Sequence, residues 1–245
     1  MNHSNLRICI LAAGKGTRMN SNLPKVLHKI NNKTLLQFVI ETSESLNPAE
    51  IILIVGYKKE AVINSVNKFN LSLAYQNEQR GTAHAIMQCK EHLKNKSGKT
   101  LILSGDVPLI SKNTLKNLIK VHDDNKSLGS LISANIENPT GYGRIIRNSN
   151  NIFTKIVEHK DANEKELMVN EINSGIYIFE TKTLMEKINL VKNSNNQNEF
   201  YLTDIFNFIN SNKISIYNTK KINEINGINT LKQLEQLSKE LNWFF

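Results

Sequence analysis

The residues most able to do chemistry come early. The chain reads Leu11-Ala12-Ala13-Gly14-Lys15-Gly16-Thr17-Arg18-Met19, followed shortly by Leu23-Pro24-Lys25-Val26-Leu27. Small residues and glycines let a backbone approach a ligand closely, and exposed amide N–H groups in such a loop hold phosphate oxygens. Lys15, Arg18 and Lys25 set positive charge around that backbone. Two common glycine motifs fail here. A dinucleotide fingerprint needs Gly or Ala where Met19 stands, and an acidic strand end about 20 residues on. A P-loop needs Gly-Lys-Ser/Thr after a spaced glycine, which Gly14-Lys15-Gly16-Thr17 does not supply. For the glycines alone, a tight turn with solvated lysines is an open alternative. With Arg18 and Lys25 included, the stretch reads as an anion site.

A second chemical residue is Asp106, just beyond the apolar run 100–104. Mg²⁺ commonly takes one or two oxygen ligands from protein, with phosphates and waters completing its shell. Asp106 suits that role, a turn or capping aspartate being its plain alternative. Arrangements for a nucleophilic side chain, Ser/His/Asp or Cys/His, are not evident.

Hydrophobic periodicity supplies the elements that would position these groups. Short apolar runs at 7–12, 51–55, 71–75 and 100–104 alternate with amphipathic stretches at 35–46, 59–67, 82–93 and 112–122. That series predicts an open, mostly parallel, Rossmann-like α/β sheet with helices on both faces, because a strand covered on both sides is apolar throughout. The loops of interest then sit at the C-terminal ends of strands, where such sheets bind ligands. After a run at 128–134 come extended pieces at 143–147, 152–158 and 175–179, read as a small antiparallel insertion. Helices at 182–190 and 201–210, a strand at 214–217 and a closing helix at 230–241 complete the pattern. Trp243, Phe244 and Phe245 form an apolar tail expected to pack on the core. One continuous sheet with a β-rich appendage accounts for the chain better than two autonomous domains.

Composition sets the outer bounds. The 245 residues carry 31 Lys and Arg against 22 Asp and Glu, a net charge of +9, and 40% are hydrophobic. Disordered and collagen-like classes are excluded, and no run approaches the roughly 20 apolar residues of a membrane helix. The charge favours anionic partners. Lysines are scattered without a basic block or aromatic interleave, which points to a phosphate-bearing small molecule and not to nucleic acid. A polar N-terminus and two cysteines in apolar contexts, Cys9 and Cys89, lead to the expectation of a cytoplasmic protein with reduced buried thiols.

The motifs together resemble those of the sugar-phosphate nucleotidyltransferases. Besides the first loop they are Gln76 with Gly81-Thr82-Ala83-His84-Ala85, Gly105-Asp106-Val107-Pro108-Leu109 and Thr140-Gly141-Tyr142-Gly143-Arg144-Ile145. Ile156-Val157-Glu158-His159-Lys160-Asp161-Ala162, Glu171-Ile172-Asn173-Ser174-Gly175-Ile176-Tyr177, Tyr201-Leu202-Thr203-Asp204-Ile205 and Gly227-Ile228-Asn229 follow in order. The likeness is strongest to the bacterial branch acting on N-acetylglucosamine 1-phosphate. It implies Mg²⁺-dependent uridylyl transfer from UTP to N-acetyl-α-D-glucosamine 1-phosphate, giving UDP-N-acetylglucosamine, a cell-envelope precursor, and pyrophosphate. Glucose 1-phosphate or another hexose 1-phosphate, with uridylyl or thymidylyl transfer, is the runner-up. A catalytically silent nucleotide-sugar sensor is the alternative of a different class, opposed by the presence of Lys25, Asp106 and Asn229.

The same resemblance implies residue roles. Arg18 and Lys25 would neutralise phosphate charge. Leu11, Ala12, Ala13, Gly14, Gln76, Gly81 and Thr82 would line the nucleotide pocket, with Ser104, Gly105 and Asp106 at the next strand end. Gln76 has a donor and an acceptor to offer the edge of uracil. Gly143, Glu158 and Asn173 would line a sugar pocket, and Asp106 and Asn229 would hold Mg²⁺. Plain alternatives stand beside these roles: helix capping for Thr82 and Asn229, a surface ion pair for Glu158, packing for Tyr142 and Tyr177, a structural hydrogen bond for His84. The implied organisation is one nucleotidyltransferase domain over 1–245: a nucleotide part to about 135, a sugar part over about 136–229, and a C-terminal helix from 230. No hexapeptide-repeat acetyltransferase domain is evident. The trimer contacts that such a domain supplies are not expected, which leaves the oligomeric state open.

Overall fold

The computed structural model describes residues 5–242, so the tail Trp243–Phe245 lies outside the described residues. Strand β1 (Leu6–Ala12) is apolar along most of its length because both its faces are covered: Ile8 and Ile10 enter one core and Cys9 the other. β2 (Glu50–Val55), β3 (Ser72–Tyr75) and β4 (Lys99–Ser104) lie parallel to it in the order β3-β2-β1-β4. β5 (Gly129–Asn135), the hairpin of β6 (Arg144–Arg147) and β7 (Phe153–Val157), the long β8 (Glu171–Glu180), and β9 (Ile214–Asn218) follow. Among the described residues nine strands form one sheet, whose main path runs β9-β5-β8-β4-β1-β2-β3.

Helices cover both faces, as the alternation predicts. α1 (Leu35–Glu44) and α2 (Lys59–Ser65) pack on one face, α3 (Thr82–Met87) and α4 (Lys90–Leu93) on the other. α5 (Lys112–Asp124) joins the first layer. After α6 (Glu164–Leu167), α7 (Thr181–Lys187) joins the second; α8 (Ile222–Ile225) and α9 (Leu231–Asn242) close the described chain. Local chemistry sets the helix starts. Thr34 and Gln37 form a reciprocal capping box at α1, and Ser111 accepts from the Thr114 N–H at α5. α5 buries Leu115, Leu118, Ile119 and His122, the spacing of one helical face.

Chain order first reverses beside β1. From β1 the chain steps outward to β2 and β3, then crosses back to place β4 on the other side of β1. The crevice between the C-terminal ends of β1 and β4 is therefore the topological switch point, the expected ligand position in an open α/β sheet.

Several expectations need correction. The piece at 175–179 is no part of the insertion: it belongs to β8, which runs antiparallel between β4 and β5 inside the main sheet. A register shift lies between Asn173 and Tyr177: the first half pairs with β5 and also meets β6, and the second half pairs with β5 and β4. The helix expected at 201–210 is a 3₁₀ segment, Leu202–Phe208, whose Leu202, Ile205 and Phe206 are drawn into the core beside α3. The helix expected at 82–93 breaks at Cys89, whose N–H bonds Ile86 O three residues back. The pair Lys29–Ile30 and Lys33–Thr34 was not foreseen; Asn31 and Asn32 turn it, both at positive φ. Cys9 and Cys89 are free and buried, as expected, and a hydrogen bond to Cys89 together with burial pushes the Cys9 thiol up. Among the described residues no helix is long and apolar enough to cross a membrane.

Candidate functional site

At the switch point the two strand ends are stitched together: the Gly105 N–H donates to Leu11 O at 2.9 Å. Gly105 itself faces inward, where an added Cβ would lie 3.1 Å from Leu11 O and 3.2 Å from Leu36 and Val26. Its missing side chain is thus what lets the two strand ends close behind the site. Above it opens a cavity of about 430 Å³ floored by Leu11, Ala12, Ala13 and Gly14, with Ser104 and Asp106 on one wall and Gln76, Gly81 and Thr82 on the other. A side chain added at Gly14 would meet nothing within 4 Å, so this glycine leaves open room for a ligand. Gly16, at φ +64°, does different work: its missing Cβ would sit 2.5 Å from the Lys25 Cβ, and the loop closes on Lys25 only because that atom is absent.

Lys25, Asp106 and Asn229 come from three distant segments and meet at the cavity's edge. Lys25 Nζ forms an ion pair with Asp106 Oδ2 and donates to Asn229 Oδ1 at 2.9 Å. Arg18 Nη2 donates to the same Asn229 oxygen at 3.0 Å. The 222–229 segment is held there by Ile228 N–H to Asp106 O at 2.9 Å, Tyr142 Oη to Asn226 Oδ1 at 3.2 Å and Ser111 Oγ to Glu224 at 2.6 Å. Asn229 is not the cap of α9. Thr230 Oγ1 accepts from the Gln233 N–H at 3.2 Å while Gln233 Oε1 takes the Asn229 and Thr230 N–H groups, which leaves the Asn229 carboxamide facing the loop cations. Tyr142 is more than packing: burial and the nearby Asp106 carboxylate raise its phenol above the ordinary value.

These contacts test the site for a divalent ion. Asp106 Oδ2 and Asn229 Oδ1 converge on one cation, the Lys25 ammonium, so a carboxylate and an amide oxygen already share a single cationic focus. Hard oxygen donors of this number fit Mg²⁺ completed by phosphates and waters.

On the opposite wall, Gln76 is buried and its Nε2 donates to Gly81 O at 3.0 Å and contacts His84 Nδ1 at 3.2 Å. Its Nε2 is thus engaged within the protein, by Gly81 and His84. Gly81, at φ +109°, could not be another residue: an added Cβ would fall 2.5 Å from Phe200 O. Thr82 does not cap α3. Its Oγ1 accepts the Leu202 N–H at 3.0 Å, and Ala83 N–H donates to Phe200 O at 2.8 Å, tying this loop to the chain before the 3₁₀ segment.

Gly143, Glu158 and Asn173 form a second cluster, outside the lining of the first cavity. The Asn173 N–H donates to Gly143 O at 2.9 Å, and a Cβ on Gly143 would lie 3.3 Å from Glu158 Oε2. Asn173 Nδ2 donates to Tyr177 Oη at 2.7 Å. Among the described residues Glu158 makes no ion pair. Thr203 Oγ1 donates to it at 3.3 Å, and burial first, then the carboxylates of Asp161, Asp204 and Glu199, raise its pKa above the ordinary 4.5. Tyr177, buried beside it, is raised in turn. Ser104 lines the first cavity and lies 3.9 Å from where a Cβ on Gly175, in the same strand as Asn173, would stand. Gln79 and Glu199 also line the cavity and were not foreseen; Gln79 carried the one available signal, falling three residues after Gln76 in the same loop.

The chain matches the nucleotidyl transferase family over residues 8–239. It is 44% identical over 222 residues to the bifunctional protein GlmU of Streptococcus thermophilus, covering 90% of this chain and 48% of that protein. The corresponding protein of Streptococcus agalactiae is 42% identical over the same length. The chain thus spans about half the length of the curated relatives it matches. Its fold is similar to that of a UDP-glucose pyrophosphorylase solved with UDP-glucose, with a TM-score of 0.75 and 19% identity over 98% of this chain and 99% of that one. A Bacillus anthracis protein described as a glucose-1-phosphate thymidylyltransferase gives 0.71 and 17% over 96% and 94%. By sequence, by fold and by the matched span, this chain belongs to the nucleotidyl transferase family.

Proposed function

We propose that the chain transfers a uridylyl group from UTP to N-acetyl-α-D-glucosamine 1-phosphate. An oxygen of the sugar phosphate attacks the α-phosphorus of UTP, the bond from that phosphorus to the oxygen bridging to the β-phosphorus breaks, and pyrophosphate leaves. The attacking oxygen is already ionised near neutral pH, so no side-chain nucleophile or strong base is required. The work of the protein is alignment and charge neutralisation. The reading rests chiefly on Lys25 Nζ meeting Asp106 and Asn229 at the rim of the glycine-floored cavity.

In this reading the main chain of Leu11–Gly14 cradles the triphosphate, Gln76 Oε1 accepts from the uracil imide, and Arg18 and Lys25 neutralise charge at the α-phosphorus and the departing pyrophosphate. Asp106 and Asn229 would hold Mg²⁺, which when bound screens phosphate charge and aids departure of the leaving group. Gly143, Glu158 and Asn173 would take the sugar: a carboxylate accepts from hydroxyls, and an amide pairs with the N-acetyl group. The nucleotide part to about residue 135 and the sugar part beyond it act as one domain.

The test is release of pyrophosphate with UTP or dTTP against N-acetylglucosamine 1-phosphate, glucosamine 1-phosphate and glucose 1-phosphate. UTP with N-acetylglucosamine 1-phosphate should be turned over fastest. Faster release with glucose 1-phosphate would move the assignment to that sugar, and no release with any pair would overturn it.

A further inference from the structure

The geometry points to Lys25 as a tethered cation that closes the divalent-ion site of the free protein, so that ion entry and delivery of Lys25 to phosphate are one exchange. This rests on the reading above for where an ion binds, and not for which reaction follows. One oxygen of each candidate ligand is already engaged by a side-chain cation. Asp106 Oδ2 pairs with Lys25 Nζ, and Asn229 Oδ1 accepts from Lys25 Nζ at 2.9 Å and from Arg18 Nη2 at 3.0 Å. One carboxylate charge thus faces two positive charges, and an incoming dication is repelled until the ammonium withdraws.

The lysine is free to withdraw only through its side chain. Its backbone opens the tight turn Lys25–Leu27, flanked by buried Pro24, Val26 and Leu27, and its Cβ lies against the Gly16 backbone, leaving no room for the main chain to swing. The four-carbon stem rotates from a root that itself lines the glycine-floored cavity. The ammonium displaced from Asp106 and Asn229 therefore moves toward the place where phosphates lie. Substrate phosphates compensate both cations at once, so the free protein binds an ion weakly and the nucleotide-loaded protein binds it well.

The experiment is Mn²⁺ binding to the substrate-free protein, followed by electron paramagnetic resonance of the unbound ion. Lys25→Met should bind Mn²⁺ about tenfold more tightly than the unaltered chain, the order expected from removing one charge near a dication. Adding Asp106→Asn to that variant should abolish the gain, with circular dichroism checking that each variant is folded. Equal or weaker binding by Lys25→Met, including none in either protein, overturns the inference. A second measurement uses the unaltered chain: trace acylation of lysines by acetic anhydride, read by mass spectrometry. Raising Mn²⁺ until the resonance titration saturates should increase Lys25 labelling several-fold relative to exposed Lys182, and unchanged labelling overturns the exchange. Neither measurement contains UTP. Failure of uridylyl transfer with both results intact would therefore remove the reaction and leave the exchange standing; equal Mn²⁺ binding with normal turnover would do the reverse.

Discussion

The two halves of the candidate site are built from different materials. At the switch point, small residues floor the cavity, Lys25 pairs with Asp106 and Arg18 donates to Asn229. The second cluster is built from side chains and acids, with Glu158 under the influence of Asp161, Asp204 and Glu199, which also lines the first cavity. A polyphosphate needs amide hydrogens and positive charge, whereas a sugar presents hydroxyl hydrogens that carboxylates accept. Under the proposed function, a phosphorylated sugar would lie with its phosphate toward β1 and its ring toward β8.

The largest expected effects lie on the cationic half. Lys25→Ala or Arg18→Ala should lower turnover by roughly 10² to 10³, about 3 to 4 kcal/mol of barrier, the scale for removing one preorganised donor from a developing charge. Near-normal rates in both variants would leave that half without its role. Asp106→Asn should lose most activity and recover part of it in excess Mg²⁺. On the acidic half, Glu158→Ala should raise KM for the sugar phosphate by roughly tenfold to a hundredfold, the range for a hydrogen bond to a charged group, with KM for UTP almost unchanged. A matching rise for UTP would merge the two halves into one.

Effects on folding are smaller and separate the halves in another way. Gly81→Ala must place a Cβ 2.5 Å from Phe200 O at φ +109°, so urea unfolding should show a loss of roughly 1 to 3 kcal/mol. An unchanged midpoint would mean that the base loop and the 199–203 segment are not tied together. The smallest effect concerns Glu158, whose pKa is raised above 4.5 by burial. The folded state then holds a proton that the unfolded state has released, so stability falls as pH rises from the ordinary carboxylate value through the raised one. Glu158→Gln removes that loss: its melting temperature should exceed that of the unaltered chain at neutral pH, and the gap should close toward about pH 4. A gap independent of pH would put Glu158 in water.

The same contrast explains what was legible in the sequence. A site made of backbone writes itself into consecutive letters, and the 11–19 loop, Asp106 and the alternating apolar runs gave the switch point in outline. A site made of side chains gathers from segments far apart, and single letters do not announce it: Glu199 and Thr203 reach Glu158 only because the 3₁₀ segment packs beside α3 and β7. The place of β8 was hidden for a related reason. Its apolar residues fit either an appendage or a central strand, and pairing with β4 and β5 decides between them. At Asn229, proximity to a helix start suggested a cap, but Thr230 and Gln233 perform that task. At Gln76 the residue type offered a donor and an acceptor, but did not reveal that its Nε2 meets Gly81 O and His84.

The central claim, displacement at the α-phosphorus of UTP between these two halves, is tested most directly by following the label from UTP carrying ³²P at the α or the γ position in the presence of N-acetylglucosamine 1-phosphate. The account predicts the α label in UDP-N-acetylglucosamine and the γ label in pyrophosphate. Recovery of the γ label on the sugar, or as inorganic phosphate with no sugar nucleotide formed, would contradict it.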